Sequence, residues 1–144
     1  MRPMVVIIVC VLTYTTALAQ KQGIKGQVFW VNGNQMPGPD KNKPVPQQGI
    51  AREIYIYNAV TLNHVQREGA FFNHVDAILI AKIQSQPDGT FKIKLPPGRY
   101  SILTKENQGL FANLFDGQGC INCVDVVRKR YSWITITLDY EAAY

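Results

Sequence analysis

Few side chains in this chain are of a type and spacing that could do chemistry: Cys120 and Cys123, His64 and His74, and a scatter of aromatic and acidic residues. Two cysteines three apart can form a disulfide, a redox couple or half of a metal site. Bridged cysteines need α-carbons within about 7 Å, whereas three steps of extended strand span about 10 Å, so a disulfide requires residues 120–123 to turn. Gly117 and Gly119 just upstream suit a turn, and we expect a structural disulfide, with two free thiols or a redox or metal role as the alternatives. A redox pair of this spacing normally opens a helix in a β-α-β setting, and no such setting is legible here. Imidazole and thiolate together suit zinc or copper, yet nothing in the spacing of His64 and His74 demands a metal. Asp116 and Asp125 fall short of the closely ordered oxygen ligands of a calcium loop, so Asp116-Gly117-Gln118-Gly119 is taken as a turn. No catalytic residue, cofactor or metal is expected, and the chain is taken to be non-enzymatic.

Rings offer a different chemistry. Trp30, Tyr55, Tyr57 and Trp133 include residues opposite the aliphatic side of their segments, where they could stack on sugars; the competing expectation is that loops or a second layer cover them. Trp30, Tyr55 and Tyr57, with His64 and His74, form the expected ligand or partner surface. An internal amide bond between Lys25 and Asp139, with Glu53 as proton shuttle, is a further possibility that positions near the two ends of the domain permit.

The segments that must position these groups are extended. From Pro87 to Ile102 the chain spells a turn at Asp88-Gly89, an alternating strand (Phe91, Ile93 and Leu95 against Lys92 and Lys94), a turn at Pro97-Gly98 of expected type II, and a returning strand. Strands are expected over 23–31, 52–59, 99–106, 109–115, 124–128 and 133–140. In the last, Trp133, Thr135, Thr137 and Asp139 alternate with Ile134, Ile136, Leu138 and Tyr140. Residues 76–84, apolar on both sides at their centre, suggest an interior strand. Proline-rich 32–49 is expected to be a long loop, and 60–74 an irregular segment with at most a short helical or strand turn. No long amphipathic helix is present, so the expected class is an all-β, antiparallel, immunoglobulin-like or transthyretin-like sandwich of about seven to eight strands.

Arg2, the apolar run Met4–Leu12 and the small residues Ala17 and Ala19 match a secretory signal peptide over 1–19, leaving 20–144 as one domain without a transmembrane anchor. The expected location is exported: periplasm, outer surface or secreted. A net charge of +5 is mild, and its one cluster, Arg128-Lys129-Arg130, has the look of a charged turn, so nucleic acid is not an expected partner.

Gln86-Pro87-Asp88-Gly89-Thr90-Phe91 followed by Leu95-Pro96-Pro97-Gly98-Arg99-Tyr100 resembles the carboxypeptidase regulatory-like family. Gly26-Gln27-Val28, Pro44-Val45-Pro46, Phe111–Gly117 and Asp139–Tyr144 are similar to a branch of short, exported single-domain members. The resemblance implies a transthyretin-like sandwich that accompanies a peptidase, receptor or surface assembly, and it implies no catalytic residue, since the turn pair closes hairpins. Transthyretin-like hydrolases of 5-hydroxyisourate end in Tyr-Arg-Gly-Ser; this chain ends in Tyr140-Glu141-Ala142-Ala143-Tyr144, and neither histidine fits their motifs. The expected function is a non-catalytic module for protein interaction or envelope structure, with an envelope or periplasmic protein as partner; the alternative is a carbohydrate-binding module that holds a glycan on outward rings.

Overall fold

The computed structural model describes residues 21–36 and 47–143; the expected signal peptide and the centre of the proline-rich loop lie outside the described residues. Eleven β-segments follow one another among them: β1 (Gly23–Asn34), β2 (Gln48–Gly49), β3 (Glu53–Asn58), β4 (Val65–Glu68), β5 (Phe71–Val75), β6 (Leu79–Gln84), β7 (Thr90–Lys94), β8 (Gly98–Glu106), β9 (Gly109–Phe111), β10 (Cys123–Val126) and β11 (Tyr131–Ala143). One three-residue 3-10 turn, Leu62–His64, precedes β4.

The segments form two layers, which makes the chain an all-β sandwich. The smaller sheet has β1 at its centre, β11 on one flank, and β7 and β2 on the other. The larger runs β4-β5-β9-β8-β3-β6, with β10 beside β8. Every pairing is antiparallel except β1 with β11, which run parallel from Gly23↔Tyr131 to Asn34↔Ala143. A parallel pair needs a long crossover, and here most of the domain lies between the two strands.

Ile24 and Val28 of β1 and Leu138 of β11 pack with Ile54 and Ile56 of β3 and Ile102 of β8, each at most 1% exposed. Burial of one such side chain stabilises by about 1.5–3 kcal/mol, so this row is the main cohesive force between the layers. A second apolar cluster lies on the other face of the larger sheet. Tyr57, Leu103, Phe72 and Leu110 are roofed there by Val60, Ala112 and Ile121 from connecting segments. The roof is hydrogen-bonded to itself and to the sheet: Ile121 N–H donates to the Val60 carbonyl at 2.9 Å, and Val60 N–H to Ser101 Oγ at 2.9 Å.

Four sequence expectations are corrected. Within 60–74 the short helical turn is present at Leu62–His64, but 65–75 is not irregular: β4 and β5 form a hairpin that continues the larger sheet. Residues 76–84 are not an interior strand, since β6 pairs with β3 and ends the sheet. Its doubly apolar pattern arises because Ala81 and Ile83 pack on the core while Leu79 and Ile80 face outward, exposed by 41% and 39%. The turn at Pro97-Gly98 is not type II, because Gly98 lacks the positive φ that turn requires and already begins β8; Tyr100 Oη instead donates to the Pro96 carbonyl at 2.7 Å. Finally, the Lys25–Asp139 amide is excluded by register: Lys25 lies opposite Trp133, six residues from Asp139, or about 20 Å along a strand.

The turn at Asp88-Gly89 forms as the sequence suggests. Gly89 takes φ +88°, its N–H donates to the Gln86 carbonyl, and Asp88 Oδ1 accepts from Thr90 N–H and Oγ1 at 3.0 and 2.6 Å. A Cβ on Gly89 would lie 2.1 Å from the Val28 carbonyl oxygen, so glycine serves both the turn and its packing against β1.

Candidate ligand and partner surfaces

Cys120 and Cys123 are joined in a disulfide with α-carbons 5.8 Å apart. The turn this requires is made by Asn122 at φ +40° and by Asp116, whose Oδ1 accepts from the N–H groups of Gln118 and Cys120. Those two bonds, and then Arg99 with Nη2 2.7 Å from Asp116 Oδ2, hold the Asp116 carboxyl below its ordinary value. A bonded pair is compatible with an oxidising, exported location. It closes one side of the roof over the larger sheet.

The residues proposed from sequence as a surface do not converge. His64 and His74 are exposed; His64 Nδ1 lies 3.1 Å from Thr61 Oγ1, and His74 sits on the hairpin opposite Gln66. No group of three His, Cys, Asp or Glu side chains suited to a metal exists among the described residues. Tyr57 is buried under the roof, so it is not an outward ring. Tyr55 is half-buried, 6.4 Å from Tyr57, with Lys82 Nζ 4.6 Å above it. Trp30 packs toward the opposite side of the larger sheet, in the layer between the sheets.

Trp30 belongs to a cluster that sequence reasoning missed. Between Trp30 and Asn32 of β1, β11 advances three residues from Leu138 to Glu141, a bulge that turns Tyr140 into contact with Trp30, Phe71 and Phe111 at 5.0–5.1 Å. Glu106, its side chain 3% exposed, receives Arg52 Nε at 2.9 Å, and the Arg52 guanidinium stacks 5.7 Å from the Trp30 ring. Burial pushes the Glu106 carboxyl up, while the Arg52 charge and hydrogen bond and the Tyr140 phenol pull it down. Side chains on β1, β3-adjacent Arg52, β5, β8, β9 and β11 meet here, so the cluster ties the two sheets together.

Two surfaces remain open. At the β6 edge, Ile78, Leu79 and Ile80 are exposed by 68%, 41% and 39%, and β6 has β3 as its single strand neighbour among the described residues. Ile80 has no partner on β3, where Ala81 faces Ile56 and Leu79 faces Tyr57, so the edge bulges there. On the outer face of the smaller sheet, Trp133 is 59% exposed beside Lys25, with Lys92 across from Lys25 on β7. No described helix is long and apolar enough to cross a membrane.

The described chain is thus a disulfide-bearing all-β sandwich with an apolar strand edge and a cationic, ring-bearing sheet face. Comparison with protein-family models, with curated proteins and with solved structures finds no match.

Proposed function

We propose that this chain is an exported, non-catalytic interaction module of the cell envelope, and that its protein partner adds an extended segment to the edge of β6. The carrying observation is the run Ile78-Leu79-Ile80, exposed beside an edge whose backbone groups are unpaired by any described strand. Natural sheets blunt such edges with charge, proline or covering chain, because an apolar edge templates further pairing. β6 keeps a bulge at Ile80 and one charge, Lys82, yet Ile78, Leu79 and Ile80 leave its first half apolar, and strand addition there satisfies both the backbone and the side chains. The signal-peptide pattern of 1–19, the disulfide and the resemblance to carboxypeptidase regulatory-like domains support export and a supporting role beside another protein.

The test is a photo-crosslinking residue at position 79 of the full chain, exported in its own cell. One discrete heterologous adduct, lost on Ile80→Lys, is the expected result. An absence of adducts, an adduct with a second copy of this chain, or the same adducts from a probe placed at Lys105 would overturn the reading.

A second reading, a carbohydrate-binding module, is favoured by one observation: Trp133 stands outward on a sheet face among polar neighbours. Of the four rings considered from sequence, Trp30, Tyr55, Tyr57 and Trp133, it is Trp133 that stands outward, while Tyr57 is buried.

A further inference from the structure

We propose that the outer face of β7-β1-β11 binds an acidic polysaccharide, its lysines pairing with the carboxylates of the chain while Trp133 stacks on a sugar ring. This rests on the carbohydrate-binding reading and names its ligand class.

Strand register sets the face out in ranks. Lys94, Gly23 and Tyr131 lie side by side across the three strands, then Lys92, Lys25 and Trp133, then Thr90, Gln27 and Thr135. Strands lie about 4.8 Å apart and successive ranks about 7 Å apart, so the three lysines and two rings occupy one compact patch. Lys25 and Lys92 are directly opposed, an arrangement of like charges that destabilises a strand pair. Both ammonium groups sit over the Tyr131 ring, at 5.3 and 4.6 Å from its centroid, and among the described residues neither they nor Lys94 is ion-paired with a carboxylate. A sheet that opposes two cations without an anion violates its own local rule, and an anionic ligand between them resolves the violation.

Other groups extend the patch. Lys129 N–H lies 3.4 Å from Gln22 Oε1, which brings the exposed Arg128-Lys129-Arg130 turn to the Lys94 end. A depression of about 320 Å³ lined by Gln22, Lys94, Leu95 and Pro96 adjoins it. On the β10 side, Asp125 is engaged by Arg99 at 3.6 Å. Tyr131 Oη is buried without a hydrogen-bond partner among the described residues. At the third rank Gln27 Nε2 donates to the Asp88 carbonyl at 2.8 Å and Thr90 Oγ1 to Asp88 Oδ1 at 2.6 Å, so an acid bounds the cationic patch on that side; the polar rank suits a hydroxylated chain and not a lipid surface, and one flat exposed indole suits the apolar face of a sugar.

The experiment measures binding of the full chain to polygalacturonate at physiological salt, with neutral dextran, polyglutamate, duplex DNA and phosphatidylglycerol vesicles as comparison probes. Polygalacturonate is expected to bind, and to bind about tenfold more weakly, the scale of one good contact, after Trp133→Ala and after Lys25→Gln with Lys92→Gln, with Lys105→Gln unchanged. These side chains are exposed, and melting no lower than that of the parent protein verifies the fold of each variant. Equal binding of polyglutamate and DNA without dependence on Trp133 overturns the inference, as does binding of vesicles alone. Trp133-dependent binding of dextran with no role for the lysines overturns the acidic ligand and leaves carbohydrate binding standing; no binding to either glycan removes both.

Discussion

The outer faces of the two sheets meet solvent differently. On the smaller sheet the outer face is wet, with Lys25, Lys92 and Thr135 exposed and Trp133 outward. On the larger sheet the corresponding face is roofed by connecting segments, so Leu103 is fully buried although its neighbour Ile102 is buried on the other side. Strand geometry divides residues into two sides, but distant chain decides which sides are dry. A wet face can be given over to binding, whereas a roofed face is committed to stability.

Substitutions at adjacent positions sharpen that contrast most. Ile102→Ala and Leu103→Ala are both expected to cost about 2–5 kcal/mol in urea unfolding, whereas on β11 Ile136→Ala falls in that range and Thr135→Ala within about 0.5 kcal/mol. A small effect at Leu103 would mean the roof is loose and the two faces are alike. Next in size, Glu106→Ala is expected to lose about 2–3 kcal/mol, less than a fully buried pair because Arg52 is 26% exposed. Since its folded carboxyl lies above the ordinary 4.5, Glu106 contributes stability that is fully present below that value and declines as pH rises through the folded value. Glu106→Gln should remove that decline from a stability–pH profile.

Removing the disulfide by Cys120→Ser with Cys123→Ser is expected to cost about 2 kcal/mol for so short a loop, measured against the oxidised protein. A smaller loss follows Asp116→Ala. Its carboxyl is held below the ordinary 3.8, so its stabilisation is present above that value and fades as pH falls through the folded one; the variant's acid limb should be flatter below about pH 4. Smallest of all, Lys25→Gln should change stability by at most about 0.5 kcal/mol, toward gain, because it relieves the opposition to Lys92.

The wet sheet was the legible one. Residues 90–95 and 133–140 show clean period-two alternation because water covers one side of β7 and β11, and the same alternation already put Lys92, Lys94, Trp133 and Thr135 on polar sides. What it could not show is that β1 brings Lys25 between them, since register between strands far apart in the chain leaves no local mark. The larger sheet hid more. Phe71-Phe72 and Val60 have no clear period because β5 and the roof bury residues on both sides, so the hairpin 65–75 looked irregular. For β6, Ile80, Leu79 and Ala81 spell the same run whether both sides are dry or one edge is open. The Glu106–Arg52–Tyr140 cluster was illegible for a third reason: its members are far apart in sequence and meet through a bulge in β11.

The parallel alliance of β1 and β11 bears on how the domain carries load. Gly23 lies beside Tyr131 and Asn34 beside Ala143, so the beginning of one strand and the finish of the other point to opposite poles. Tension drawn between those poles slides the two strands lengthwise and strains their hydrogen bonds together, where a hairpin pulled at its open end would unzip one rung at a time.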